Sequence, residues 1–155
     1  MKKTVLFLGL MLTIGAVSCK KDDDKGSSGS GSNTWTFKGV KYSSATVTAK
    51  AAVHSISAAD GTHEFMVSFL SKLPAASGKY KIVFFAPESE DEVGIYVIDT
   101  PGNPYVSTGN DNAMADITVS ADGKLSVSVP EIWVSNVGKA DSAKVSGTIT
   151  ETTRL

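Results

Sequence analysis

Two histidines, a short run of acids and one cysteine are the most reactive side chains in this 155-residue sequence. His54 and His63 flank the turn Ala59-Asp60-Gly61. An even and an odd position of one hairpin face opposite ways, so this pair does not converge on a metal. Either imidazole would need an orienting carboxylate to activate a serine. Glu64 adjoins His63, but neighbours in a strand point apart. Glu88, Glu90, Asp91 and Glu92 are carboxylates of the kind glycosidases pair, yet a solvated run offers no burial to tune them. There is no Gly-x-Ser-x-Gly elbow, no phosphate-cradling glycine loop and no His-Glu-x-x-His pattern. The expectation is therefore a protein without catalytic residues, cofactor or metal. The oxygen-rich string Ser107-Thr108-Gly109-Asn110-Asp111-Asn112 could join Asp99 or Asp116 around calcium, but EF-hand spacing is missing and ordinary turns select the same residues.

Binding is the other chemistry to consider. Trp133 is out of phase with Ile132 and Val134, and Pro130 just before it leaves its direction open. Trp133, with Tyr96 and Tyr105 as weaker candidates, could stack on a sugar or another apolar ligand. Trp35 alternates with Phe37 and reads as core.

The remaining reactive group, Cys19, follows a positive start (Lys2, Lys3) and an apolar run from Val5 to Val17. Thirteen helical residues would span about 20 Å, short of the roughly 30 Å hydrocarbon core, so the run reads as a secretory leader over residues 1–18. Ala16-Val17-Ser18-Cys19 resembles a bacterial lipobox. The resemblance implies a diacylglycerol thioether on Cys19, cleavage before it, and acylation of the new amino group. Two or more acyl chains anchor stably where one does not. Lys20-Lys21-Asp22-Asp23-Asp24 then resembles the surface-export signal of Bacteroidota lipoproteins, which implies the outer face of the outer membrane. The Gly/Ser tract Gly26–Ser32 completes a tether over residues 19–32 with a reach of roughly 20 Å.

Residues 33–155 must hold whatever binds. The chain is 41% hydrophobic and 20% charged, near the globular average, which excludes a disordered or multi-pass membrane protein. Fifteen scattered basic residues face sixteen acidic ones, so no nucleic-acid face is visible. A single cysteine leaves no internal disulfide framework.

Period-two alternation predicts an all-β domain, an antiparallel β-sandwich of roughly 8–10 short strands. The predicted strands are 34–38, 40–43, 46–56, 64–71, 79–86, 93–99, 113–120, 124–129, 132–135 and 143–151. Residues 80–85, apolar on both faces, read as a central strand covered twice. A three-residue loop at Ala121-Asp122-Gly123 pairs Val119 with Leu125, Ile117 with Val127 and Ala115 with Val129, with Gly123 left-handed. The same loop at Ala59-Asp60-Gly61 would pair Val53 with Val67, Ala51 with Phe69 and Ser55 with Phe65.

As a whole the layout is similar to the small surface lipoproteins of Bacteroidota that carry a β-sandwich. A non-catalytic, displayed binding or accessory module for glycan or protein partners is the expected function. The alternative is a lipocalin-like barrel carrying a small apolar ligand, since Trp35 and Arg154 loosely resemble that family's tryptophan and late arginine. Against it, no glycine stands two residues before Trp35, and Arg154 lies at the extreme end.

Overall fold

The computed structural model describes residues 33–155. The expected leader (1–18), the lipid site Cys19, the export signal Lys20, Lys21, Asp22, Asp23 and Asp24, and the tether (19–32) lie outside the described residues. The domain is all-β. Its twelve strands are β1 Thr34–Phe37, β2 Val40–Ser43, β3 Val47–Lys50, β4 Ser55–Ala59, β5 Glu64–Ser68, β6 Gly78–Val83, β7 Glu92–Ile98, β8 Pro104–Ser107, β9 Met114–Val119, β10 Leu125–Asn136, β11 Ser142–Thr150 and β12 Thr153–Arg154. They belong to one hydrogen-bonded sheet ordered β12-β3-β4-β5-β7-β6-β9-β10-β11-β1-β2, with β8 bridging β7 and β10. The expectation of purely antiparallel pairing is corrected at two places, because β6 runs parallel to β7 and β12 parallel to β3. Residues 84–91 double back, so that Glu92 starts level with Lys81 instead of continuing from Val83.

The β9–β10 hairpin follows the apolar pattern. Val119 faces Leu125, Ile117 faces Val127 and Thr118 faces Ser126, with Gly123 at φ +80°. The hairpin at Asp60 differs from expectation: Ile56 faces Val67, Ala58 faces Phe65 and Ser55 faces Ser68. Asp60 causes the difference by closing a four-residue loop, its Oδ1 accepting the amides of Thr62 at 2.9 Å and His63 at 2.7 Å. The expected strand 46–56 is itself a hairpin. β3 and β4 pair across a single 3-10 turn, Ala51–Val53, closed by His54 at φ +49°. The reason lies in the phase. Val47 and Ala49 are buried at odd positions and Ile56 and Ala58 at even ones, so a continuous strand would turn one pair outward.

Other boundaries move as well. The expected doubly covered strand stops at Val83, and Phe84 and Phe85 are exposed at 62% and 50%. Expected strands 124–129 and 132–135 are one strand, β10, with a bulge between Val129 and Ile132. Pro130 has no amide to give the ladder, and the bulge absorbs that loss. The Pro101-Gly102-Asn103-Pro104 turn is present, with Gly102 at φ +81°, but Pro104 also opens β8, which the sequence did not suggest.

The inner face of the sheet holds one core. Trp35 stacks on Phe65 with centroids 6.4 Å apart and on Tyr42 at 5.5 Å, bringing β1 over β5. Gly147 makes this possible, because a Cβ there would come within 2.9 Å of the Trp35 Cβ. On β11, Ala143, Val145 and Ile149 point inward while Lys144 points out. Just past β11, Glu151 draws the carboxyl terminus against the β9–β10 turn. Its carboxylate accepts the Leu125 amide at 3.0 Å and both Nε and Nη2 of Arg154 at 2.7 and 2.6 Å.

Candidate binding surface

The bulge in β10 decides where Trp133 points. Val129 and Ile132 are both buried, Pro130 and Glu131 occupy the outward turn between them, and Trp133 therefore faces away from the core. It is 45% exposed. Its backbone is held on both sides: its amide donates to Asp111 Oδ2 at 2.8 Å, and its carbonyl accepts the Thr108 amide at 3.1 Å. Lys144, its partner in register, places Nζ 5.6 Å from the indole centroid and pairs with Glu131 at 2.6 Å. The ring is thus presented on rigid backbone rather than on a loop.

Phe84 and Phe85 are exposed as well, and their backbone comes close to the segment that supports Trp133. Gly109 lies between them and Trp133: it lines a shallow recess beside the indole, and a Cβ on it would fall 2.7 Å from the Phe84 nitrogen. With φ +69°, it lets the segment after β8 press directly on the end of β6. The two phenyl centroids are 6.3 Å apart. Phe85 sits at φ +59°, a conformation held by the Tyr96 hydroxyl, which donates to the Phe85 carbonyl at 2.6 Å. The Tyr96 ring meets Phe85 edge-on at 6.0 Å.

Of the three aromatic candidates, then, Trp133 is exposed as a ligand contact requires. Tyr96 is half-buried and props Phe85. Tyr105 is corrected: its residue is 1% exposed and its ring packs T-shaped on Phe37 at 5.0 Å, so it has no face for a ligand. Sequence reasoning missed Phe84 and Phe85, although adjacent residues cannot both point inward from one strand.

The histidines end far apart in role and place. His54 closes the turn before β4, and His63 closes the turn after it. His63 Nδ1 is 3.2 Å from Asp60 and Nε2 is 3.7 Å from Asp99, while Tyr42 packs on the ring at 4.4 Å. Both nitrogens face carboxylates, which suits a clasp between two turns better than a base beside a nucleophile. The His63 amide, more than burial opposes it, holds the Asp60 carboxyl below its usual range.

The clasp continues through Lys38. Its Nζ donates to the Tyr105 hydroxyl at 2.6 Å, to Asp99 at 3.3 Å and to Asp141 at 3.4 Å, and the hydroxyl donates in turn to Asp141. The bond to Tyr105 does most to raise the Lys38 pKa, and the same hydroxyl does most to lower that of Asp141. Lys38 itself sits at φ +52° in the two-residue turn before Gly39, where such hairpins prefer asparagine or glycine. These bonds offset the strain and tie four turns together at one end of the sheet.

The acids that could have gathered around calcium are not brought together. Asp99 goes to this clasp, Asp116 pairs with Lys79 at 2.6 Å, and Asp111 caps Trp133. No group of three or more His, Cys, Asp or Glu side chains with metal-site geometry occurs among the described residues. In the acidic loop, Glu92 folds back to accept the amides of Glu88 and Ser89 at 2.9 and 3.2 Å. No helix among the described residues is long and apolar enough to cross a membrane. No protein-family model, curated protein or solved structure matches the chain.

Proposed function

We propose that the chain is a lipid-anchored, cell-surface protein whose β-domain binds glycan, without catalysis, through Trp133 and the neighbouring Phe84 and Phe85. The half-exposed indole on the outer face carries this reading. Leaving three large aromatics in water forgoes their burial, and rigid, exposed aromatic faces suit the apolar C–H face of a sugar ring. Glu131 and Lys144 beside the indole supply a carboxylate and an ammonium for hydroxyl groups. The lipobox-like Ala16-Val17-Ser18-Cys19 and the Lys/Asp run after it support the anchoring half: acyl chains on Cys19 as the membrane partner, and display on the outer face of the outer membrane.

A glycan array probed with the full chain in detergent tests the binding half. At least one polysaccharide should be retained, and Trp133→Ala should weaken its binding by about tenfold. Equal binding by the variant, or an array with no hit, contradicts the glycan reading. Saturable hydrolysis of any retained glycan contradicts the non-catalytic one.

A further inference from the structure

We infer a second binding site, independent of the glycan reading, for a single free apolar α-amino acid in a cleft at the rim of the core. The cleft encloses about 250 Å³ between the loop 70–77 and Glu90. That is the share of roughly eight water molecules in the liquid, suited to one small molecule. Its floor is the edge of the core itself: Phe69, 6% exposed, meets Tyr80 edge-on at 6.2 Å. Pro74, Ala75 and Ala76 form a low apolar wall.

Two side-chain bonds fix the walls. Ser71 Oγ donates to Glu90 Oε1 at 2.5 Å at one end of the loop, and Ser77 Oγ accepts the Val119 amide at 2.8 Å at the other. The charged residues of the lining are Lys72 and Glu90, opposite in sign, and neither forms an ion pair among the described residues. Opposite charges that line one apolar-floored cleft without meeting are complementary to a ligand carrying both signs. An α-ammonium would face Glu90, an α-carboxylate would face Lys72, and an apolar side group would lie on Phe69, Tyr80 and Pro74. A purely apolar molecule would make no use of either charge.

The test is titration of the full chain in detergent micelles with L-leucine, followed by NMR of the aromatic rings. Saturable shifts should appear at Phe69 and Tyr80, with Kd near about 1 mM because both charges are solvent-accessible. N-acetyl-L-leucine, which lacks the cation, and L-leucinamide, which lacks the anion, should each bind about tenfold more weakly. Lys72→Met and Glu90→Gln should do the same, the latter retaining an acceptor for Ser71. Ala76→Trp, which fills the cleft from an exposed position, should abolish binding, while Trp133→Ala should leave it unchanged. The inference is overturned if nothing saturates by about 10 mM, or if the capped analogues bind as well as L-leucine. Shifts centred on Trp133 would overturn it as well.

Discussion

Single residues account for most of what this domain does at its ends. Burial alone would raise the Glu151 carboxyl, but the Arg154 guanidinium, with the Leu125 amide, outweighs it and holds the group below its usual range. A carboxylate whose pKa is lowered by folding contributes stability above its unfolded value, near about 4.3, and that contribution is lost as pH falls through the folded value. Urea midpoints measured against pH should therefore drop on acidification below about pH 4.3. Glu151→Gln should start lower by about 1–3 kcal/mol at neutral pH and show a shallower acid limb. An unchanged limb would remove Glu151 from the account. At the other end, Tyr105→Phe should cost about 1 kcal/mol by denaturant titration, since Lys38 and Asp141 keep each other and water. A neutral result would mean that the clasp contributes nothing through its hydroxyl. Neither role was legible beforehand. Tyr105 stands in an apolar stretch too short to show a phase, and the partners of Glu151 depend on how the chain returns to the β9–β10 turn.

At the level of strands and turns, the sequence was informative wherever apolar phase ran unbroken. β9 and β10 pair as their alternation requires, because any other register would turn Ile117 or Val127 to water. The phase change between Ala49 and Ile56 was equally present, but Ala51 and Val53 continue the odd series and hide it. Asp60 misled for a different reason: its side chain lengthens the loop by a bond that composition does not reveal. Pro130 marked an irregularity correctly, though the strand carries on past it. Two glycines separate the demands of turn and core. Gly123 has open space around its Cβ position but φ +80°, so Gly123→Ala should cost about 1 kcal/mol. Gly147→Ala should cost more, about 1–3 kcal/mol, by driving Trp35 off Phe65. Thermal midpoints compare the two directly, and a harmless Gly147→Ala would contradict the packing described between β1 and β5.

For the whole molecule, the sheet divides labour between its faces. The inner face spends its apolar residues on one core, the outer face keeps Trp133 uncovered, and the loop after β6 leaves Phe84 and Phe85 exposed. The all-β class was legible because alternation is local. The exposed surface was not, because Trp133 depends on a bulge and Phe84 on β6 ending at Val83. Whether such a surface meets anything outside the cell depends on its attachment, and the proposed display stands or falls with the chemistry at Cys19. Intact-mass analysis of the native polypeptide tests this most directly. The account predicts a chain beginning at Cys19, with a diacylglycerol thioether on its sulfur and an acyl group on its nitrogen. A bare thiol, or a chain that still carries residues 1–18, would contradict it.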